Sequence, residues 1–281
     1  MTPRVAMSIA GSDSGGGAGI QADLRTFAAH RVHGTVAITA VTAQSTVGVT
    51  AVAPLEAEMV LTQVTTVLDD IAVDAVKTGM LARPRTVEAV GRLAAAGLLP
   101  RLVVDPVLVS STGHNLMEAG GARAYRELLL PHALVVTPNL RETAVLLDTE
   151  VEEFDSVAAM FDAATSLQSL GATWVVVKGG HLIVDGITAE QAPDVLVGPD
   201  TALELAAHRI STRNDHGTGC SLAAAIAANL ANGLTVPEAV TDAKRFVHTA
   251  IAGAADWVLG HGHGPIDHLG WTQAESGHQR P

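Results

Sequence analysis

Six short runs rich in Val, Ile, Leu and Ala recur along the chain, at Val5–Ala10, Val36–Val41, Ala75–Lys77, Leu102–Val104, Leu134–Val136 and Trp174–Val177. Near-continuous apolar runs of this length suit strands buried on both faces of a parallel sheet. Between them the apolar positions take helical spacing. Ile20, Leu24, Phe27 and Ala28 share one face, as do Met59, Val60, Val64, Val67, Leu68 and Ile71. The same holds for Val157, Met160, Phe161, Ala164 and Leu167, and for Val240, Ala243, Phe246, Val247, Ala250, Ile251 and Ala254. Strand–helix alternation predicts an α/β fold, a mostly parallel central sheet with helices on both faces. Turn signals at Asp185-Gly186 and Gly198-Pro199-Asp200 lie beside short runs such as Val195–Val197, so antiparallel strands are expected at one edge.

No internal repeat and no dividing linker interrupts the 281 residues. One domain is expected over residues 1–271, with a polar, disordered tail at 272–281. With 48% hydrophobic and 16% charged residues, a large core is available. The net charge of −12 argues against nucleic acid or an anionic membrane as partner. An anionic ligand then needs local positive elements. A single cysteine fits a reducing compartment. Met1–Arg4 runs straight into a strand-like segment without signal-peptide features, and the uncharged Gly34–Leu55 is too polar to span a bilayer. A cytoplasmic protein is expected.

In an open parallel sheet, ligands bind outside the carboxyl ends of the strands. Those ends carry Gly11-Ser12-Asp13, Gln44, Gly79-Met80, Asp105, Asn139 with Glu142, and Lys178-Gly179-Gly180. Lys178, one of only three lysines, suits phosphate as a point charge, though it also reads as a surface lysine in a turn. Asp105 and Glu142 offer hard oxygen ligands for magnesium. Each has a plainer reading, as a turn residue before Pro106 and as a helix-start carboxylate after Asn139. Asp23, one turn into the first helix, reaches a substrate or merely compensates the helix dipole.

Asn214-Asp215-His216-Gly217-Thr218-Gly219-Cys220 precedes an Ala-rich helical run. Two glycines around a threonine let successive N–H groups converge on one concavity, with a helix N-terminus behind them. Phosphate or a developing negative charge fits there, and a thiol at its mouth is expected to have a lowered pKa. Alone, the stretch reads equally well as a turn before a helix, with Cys220 a small core residue. The loop Gly11–Gly19 resembles a dinucleotide fingerprint, but Ile20 replaces its third glycine, and no P-loop pattern occurs. The tail segment Gly260-His261-Gly262-His263-Gly264-Pro265 reads as a surface turn rather than a metal site.

These motifs, together with Thr42-Ala43-Gln44, Lys77-Thr78-Gly79-Met80-Leu81, Val104-Asp105-Pro106-Val107, Thr137-Pro138-Asn139-Leu140-Arg141-Glu142 and Val177-Lys178-Gly179-Gly180-His181, resemble those of the hydroxymethylpyrimidine/phosphomethylpyrimidine kinases of thiamine biosynthesis. These kinases belong to the ribokinase superfamily, and the resemblance runs from about Val5 to Trp271. It implies a ribokinase-like fold and an ATP-dependent kinase acting on 4-amino-5-hydroxymethyl-2-methylpyrimidine and then on its monophosphate. It further implies a homodimer, and magnesium at Asp105 and Glu142. Gly217, Thr218 and Gly219 with the Cys220 N–H would form the anion hole. Cys220 would stand where most of the superfamily has an aspartate base, with Lys178 on nucleotide phosphate. Gly11, Asp23, Gln44, Met80 and Val107 would line the pyrimidine pocket. A primary amide such as Gln44 can pair in two bonds with an aminopyrimidine edge, as Asn or Gln does with adenine.

Thr78 and Asp215 depart from the family pattern, the first replacing an aliphatic residue and the second a small polar one. A pyridoxal kinase of the same superfamily is the nearest alternative. A non-catalytic binding protein on the same fold and a nicotinamide oxidoreductase are the others, the last disfavoured by the broken glycine fingerprint.

Overall fold

The structure, a computed structural model, describes residues 2–108, 117–180, 182–184, 187–188 and 190–272. β1 (Val5–Ala10) leads through the glycine-rich loop into α1 (Gly19–Ala29). There follow β2 (His33–Ile38), β3 (Ala40–Ser45), β4 (Gly48–Pro54), α2 (Ala57–Leu68), β5 (Ala75–Thr78), α3 (Pro84–Ala95) and β6 (Val103–Val104). The short α4 (Gly121–Ala124) precedes β7 (Val135–Val136), α5 (Leu140–Leu147), α6 (Val157–Gln168) and β8 (Trp174–Lys178). Two short hairpins, β9 (Ile183–Val184) with β10 (Ile187–Thr188) and β11 (Asp194–Val197) with β12 (Ala202–Leu205), come before the long helices α7 (Thr218–Ala231) and α8 (Val236–Gly253).

Eight strands form the main sheet in the order β12-β11-β8-β7-β6-β5-β1-β2. From β8 to β2 every pairing is parallel, and β11 and β12 close one edge antiparallel. The chain steps outward from β1 to β2, then returns to place β5 on the other side of β1. The strand order therefore reverses at β1/β5, the crevice where α/β sheets bind ligands.

Alternate strand residues feed two cores. Ala6, Ala75, Val103, Val135, Val176 and Leu196 face Phe27 of α1 and the buried Ala-rich α7 with α8. Met7, Val76, Val104, Val136, Val175 and Val195 face the other layer, built from α2, α3, α5 and α6. Alanine on every side of α7 lets that helix sit close to the sheet, and its residues from Ser221 to Ala231 are buried all round. Such a helix gains its stability from packing rather than from an amphipathic stripe.

One expected strand divides. The run Val36–Val41 belongs to two elements, because the chain leaves the main sheet at Thr39. There the Thr39 N–H donates to Ala10 O, its hydroxyl donates to Met80 O, and its carbonyl accepts from Leu55 N–H. β3 and β4 then pair only with each other, as a projecting hairpin with Val41, Val47 and Val52 exposed. The expected turn Asp185-Gly186 lies outside the described residues, as does the expected polar tail beyond Thr272.

Candidate active site

A cavity of about 260 Å³ opens at the carboxyl ends of the strands. Its wall contains Gly11, Gln44, Met80, Asp105, Val107, Glu142, Lys178, Gly217, Thr218, Gly219 and Cys220. Of the candidate residues named from the sequence, only Asp23 is missing from the wall.

Gly217 holds the nest. Its φ of +84° is left-handed, and a Cβ there would meet Gly17 O at 1.9 Å, so only glycine fits. The residue caps α7 without a side-chain bond, leaving first-turn N–H groups of Gly219 and Cys220 without intrahelical acceptors. A Cβ on Gly219 would stand 3.1 Å from Lys178 Nζ, so the ammonium lies directly over this turn. Nest, helix dipole and lysine form one positive concavity in an acidic protein.

Lys178 Nζ donates to Asp105 Oδ1 at 2.8 Å and lies 4.0 Å from Glu142 Oε2. Thr137 Oγ1 also donates to Asp105 Oδ1, at 3.1 Å. Glu142 serves as helix cap as well. It accepts from the Asn139 N–H at 2.8 Å, while Asn139 Oδ1 accepts from the Glu142 N–H at 2.9 Å. The two readings of Glu142 therefore coexist. Burial pushes its carboxyl up to about 7, Lys178 opposing and the Asp105 charge adding to the rise. Two buried carboxylates thus face one ammonium. Magnesium fits this donor set, since it takes one or two carboxylates and keeps its remaining positions for water and phosphate.

Cys220 does not have the lowered pKa expected of it. Burial pushes the thiol up to about 11, and although Lys77 opposes this, Asp23 and Asp105 add to it. Two nearby carboxylates and desolvation outweigh the helix N-terminus. Asp23 is likewise not where the sequence suggests. Its carboxylate is fully buried behind the cavity, accepting from Lys77 Nζ at 2.9 and 3.0 Å and from Ser8 Oγ at 2.5 Å. Lys77 itself reaches the cavity wall beside Cys220. Burial alone would lower the Lys77 ammonium, but Asp23 first, then Cys220 and Asp105, hold it above its ordinary value.

Lys77 was the functional candidate the sequence pattern concealed. A lysine inside a buried apolar strand does signal a paired charge, but its partner is 54 residues away. Asp13, Thr42 and His216 also join the wall. Burial would raise the Asp13 carboxyl; the His216 bond and the N–H groups of Ala18 and Gly15 bring it below the ordinary carboxylate value. Asp215 turns its extra charge to His263, with Nδ1 to Oδ1 at 2.7 Å. The His-Gly segment packs against the site: His216 N–H donates to Gly264 O and His263 N–H to Thr46 O. His268 is buried with Nε2 2.8 Å from Ser221 Oγ. Among the described residues, no group of three or more His, Cys, Asp or Glu side chains is arranged to hold a metal.

A second cavity of about 420 Å³ adjoins the first and shares with it Lys178, Gly180, Asp215, Thr218 and Gly219. Its far wall carries His208, Arg209, Ile210, Val247, His248 and Ile251. Lys244, which donates to Asp194 Oδ2 at 2.7 Å and to Ala192 O at 2.8 Å, holds its base together. Two cavities with one positive boundary suit a donor on one side and an acceptor on the other.

Residues 13–267 match the family model for phosphomethylpyrimidine kinase. The chain belongs to that family. A hydroxymethylpyrimidine/phosphomethylpyrimidine kinase of Rhizobium meliloti is 48% identical over 268 residues, 94% of this chain and 97% of that protein. Among solved structures, an ADP complex of Bacillus subtilis pyridoxal kinase superposes with a TM-score of 0.85 at 37% identity, over 97% of this chain and all of that one. A phosphomethylpyrimidine kinase of Clostridium difficile superposes with a TM-score of 0.75 at 36% identity, over 88% of this chain and 99% of that one. The fold is ribokinase-like and the protein is a kinase. Among the described residues, no helix of this kinase is long and apolar enough to cross a membrane.

Proposed function

We infer that this kinase phosphorylates 4-amino-5-hydroxymethyl-2-methylpyrimidine with ATP, and then the resulting monophosphate, in the formation of thiamine diphosphate. The observation that carries the reading is the shared boundary of the two cavities, where Lys178 and the Thr218-Gly219 turn of the nest stand between an amide-bearing pocket and a larger cleft. The pyrimidine lies in the first, against Gly11, Met80 and Val107, with its amino edge on Gln44. The nucleotide lies in the second, with its terminal phosphates at the boundary.

In this arrangement the hydroxymethyl oxygen attacks the γ-phosphorus, a new O–P bond forms, and the bond to the bridging oxygen breaks to release ADP. Lys178 and the nest N–H groups face the non-bridging oxygens, where charge must be held through transfer. Asp105 and Glu142 would hold magnesium, which supplies charge neutralisation on the phosphates. The hydroxyl proton goes to Cys220 Sγ. A loose transition state asks little of the base, so a minor thiolate fraction suffices. Asp23 acts from behind the wall, by holding Lys77 beside that sulfur.

One domain over residues 1–271, a cytoplasmic location and a homodimer complete the proposal. The continuous eight-stranded sheet supports the first, the single cysteine the second, and the exposed valines of the β3–β4 hairpin the third. Sedimentation equilibrium tests the dimer.

The deciding experiment is ADP release with magnesium and ATP in the presence of either the aminopyrimidine or pyridoxal. Higher kcat/KM with pyridoxal would replace the substrate in this proposal. Phosphorus NMR that shows the monophosphate accumulating without diphosphate would remove the second step.

A further inference from the structure

Asp13, His216 and Thr42 surround Gln44 without a part in the transfer chemistry, and their hydrogen bonds leave little freedom. Asp13 Oδ1 accepts from Gly15 N–H at 2.8 Å, and Oδ2 accepts from Gly17 and Ala18 N–H at 2.9 and 2.8 Å. His216 Nε2 is 3.0 Å from Oδ2. A carboxylate so surrounded has only lone pairs to offer, so Nε2 carries a hydrogen whichever way the rest of the ring is protonated.

The same Nε2 is 3.2 Å from one end of the Gln44 amide, and Thr42 Oγ1 is 3.4 Å from the other. Thr42 gives its one hydroxyl hydrogen to Ser12 O at 2.8 Å. Nitrogen toward His216 would set donor against donor and ask the Thr42 hydrogen to serve two acceptors. A half-turn exchanges amide oxygen and nitrogen without other movement: the donor–donor contact becomes a hydrogen that Nε2–H shares between Asp13 Oδ2 and the amide oxygen, and Thr42 Oγ1 accepts from the NH₂ while keeping its own hydrogen on Ser12 O. The backbone beneath is pinned as well: Gln44 N–H donates to Ser14 Oγ at 2.7 Å, and Ser14 Oγ–H returns to Gln44 O at 2.8 Å.

We propose that His216, held by Asp13, is a specificity-determining positioning residue that fixes the Gln44 amide with its oxygen toward His216 and its NH₂ toward Thr42. The remaining acceptor and donor of the amide then face the pocket in a set order. They match a substrate edge with an amine on the His216 side and a ring-nitrogen acceptor on the Thr42 side. An acceptor without that edge leaves both unpaired. This inference rests on the aminopyrimidine reading for its substrate, but not for its geometry.

Long-range nitrogen-15 NMR of the ligand-free protein, with His216 assigned from the His216→Phe spectrum, should show Nε2 protonated. In kinetics, His216→Phe keeps ring size and loses the donor, so KM for the aminopyrimidine should rise about tenfold, the worth of one hydrogen bond. kcat should stay within about threefold, as expected for a loss of ground-state and transition-state binding alike. His216→Gln, which restores an N–H at similar reach, should recover most of the loss. Thr42→Val should raise KM in the same direction, with melting temperature and ATP affinity as controls for folding. An unprotonated Nε2, or an unchanged KM in His216→Phe, would overturn the proposal. Wild-type protein that fails to turn over the aminopyrimidine would instead defeat the substrate reading, while the ring spectrum still tests whether Nε2 carries the hydrogen that this amide orientation requires.

Discussion

The charge around Cys220 is set by burial and by Lys77, Asp23 and Asp105. Lys77 favours the thiolate, Asp23 and Asp105 disfavour it, and burial disfavours it most, so the free thiol sits at about 11. Alkylation of the single cysteine by iodoacetamide should therefore rise steadily between pH 6 and 9 without levelling, and bound ATP should slow it by covering the nest. A plateau below pH 8 would mean a thiolate already formed. Cys220→Ala keeps every backbone N–H of the nest, so ATP affinity should change little while kcat falls by about 10²-fold, the low end of general-base help, because a loose transition state asks little of the base. Near-normal kcat in that variant would reduce Cys220 to a residue of the right size. Lys77→Met leaves the Asp23 carboxylate buried and uncompensated, at a cost of about 3–5 kcal/mol in stability. Urea unfolding should show that loss, and Lys77→Met with Asp23→Leu should regain much of it.

At the scale of elements, what turns a helix end into the proposed anion site is the left-handed Gly217. Gly217→Ala brings a methyl within 1.9 Å of Gly17 O, so the loop must move and take the N–H groups with it. Losing one such donor typically costs about 10²–10³-fold in kcat, and a loss of that order is expected in steady-state assays. β5 carries the opposite kind of defect. The Thr78 hydroxyl is buried with no hydrogen-bond partner. Thr78→Val keeps the shape and removes the unpaired group, so stability should rise by about 1 kcal/mol in urea titration. A fall would show that the hydroxyl has a partner after all.

These elements also show what could be read from the sequence. Buried parallel strands announce themselves as apolar runs because both faces are covered, so the central strands and the antiparallel edge were legible. The run Val36–Val41 was not, since nothing local marks Thr39 as the point where backbone partners change from Ala10 to Leu55. Strand-end residues could be placed at one edge by topology alone. The Asp23–Lys77 pair and the Asp13–His216 pair, joined across 54 and 203 residues, could not. The raised Cys220 thiol is hidden for a related reason, because a helix N-terminus is visible in sequence and the burial and the nearby Asp23 and Asp105 charges are not.

For the whole molecule, two buried groups pull stability in opposite directions with pH. His268 is held down to about 4 from 6.5, chiefly by burial, so its contribution is full above pH 6.5 and is lost as pH falls toward 4. Glu142 is raised from 4.5 to about 7, so the folded chain holds that proton more tightly, and its contribution is full at acid pH and lost as pH rises through 7. Between 4.5 and 6.5 the two oppose each other; above 6.5 only Glu142 acts. The ligand-free protein should therefore lose melting temperature from pH 6.5 to 8. In the proposed site magnesium with ATP would bind the ionised carboxylates, so it should restore more at pH 8 than at pH 6. At about 100 times Kd the ligand adds about 2.7 kcal/mol, or roughly 5 °C for a chain of this size. Glu142→Gln removes the titrating group and should flatten the ligand-free profile above pH 6.5. Because ATP titrates too, the informative quantity is the difference between wild type and Glu142→Gln under the same ligand. If that difference is independent of pH, Glu142 does not hold the proton, and its place in the metal site must rest on some other measurement.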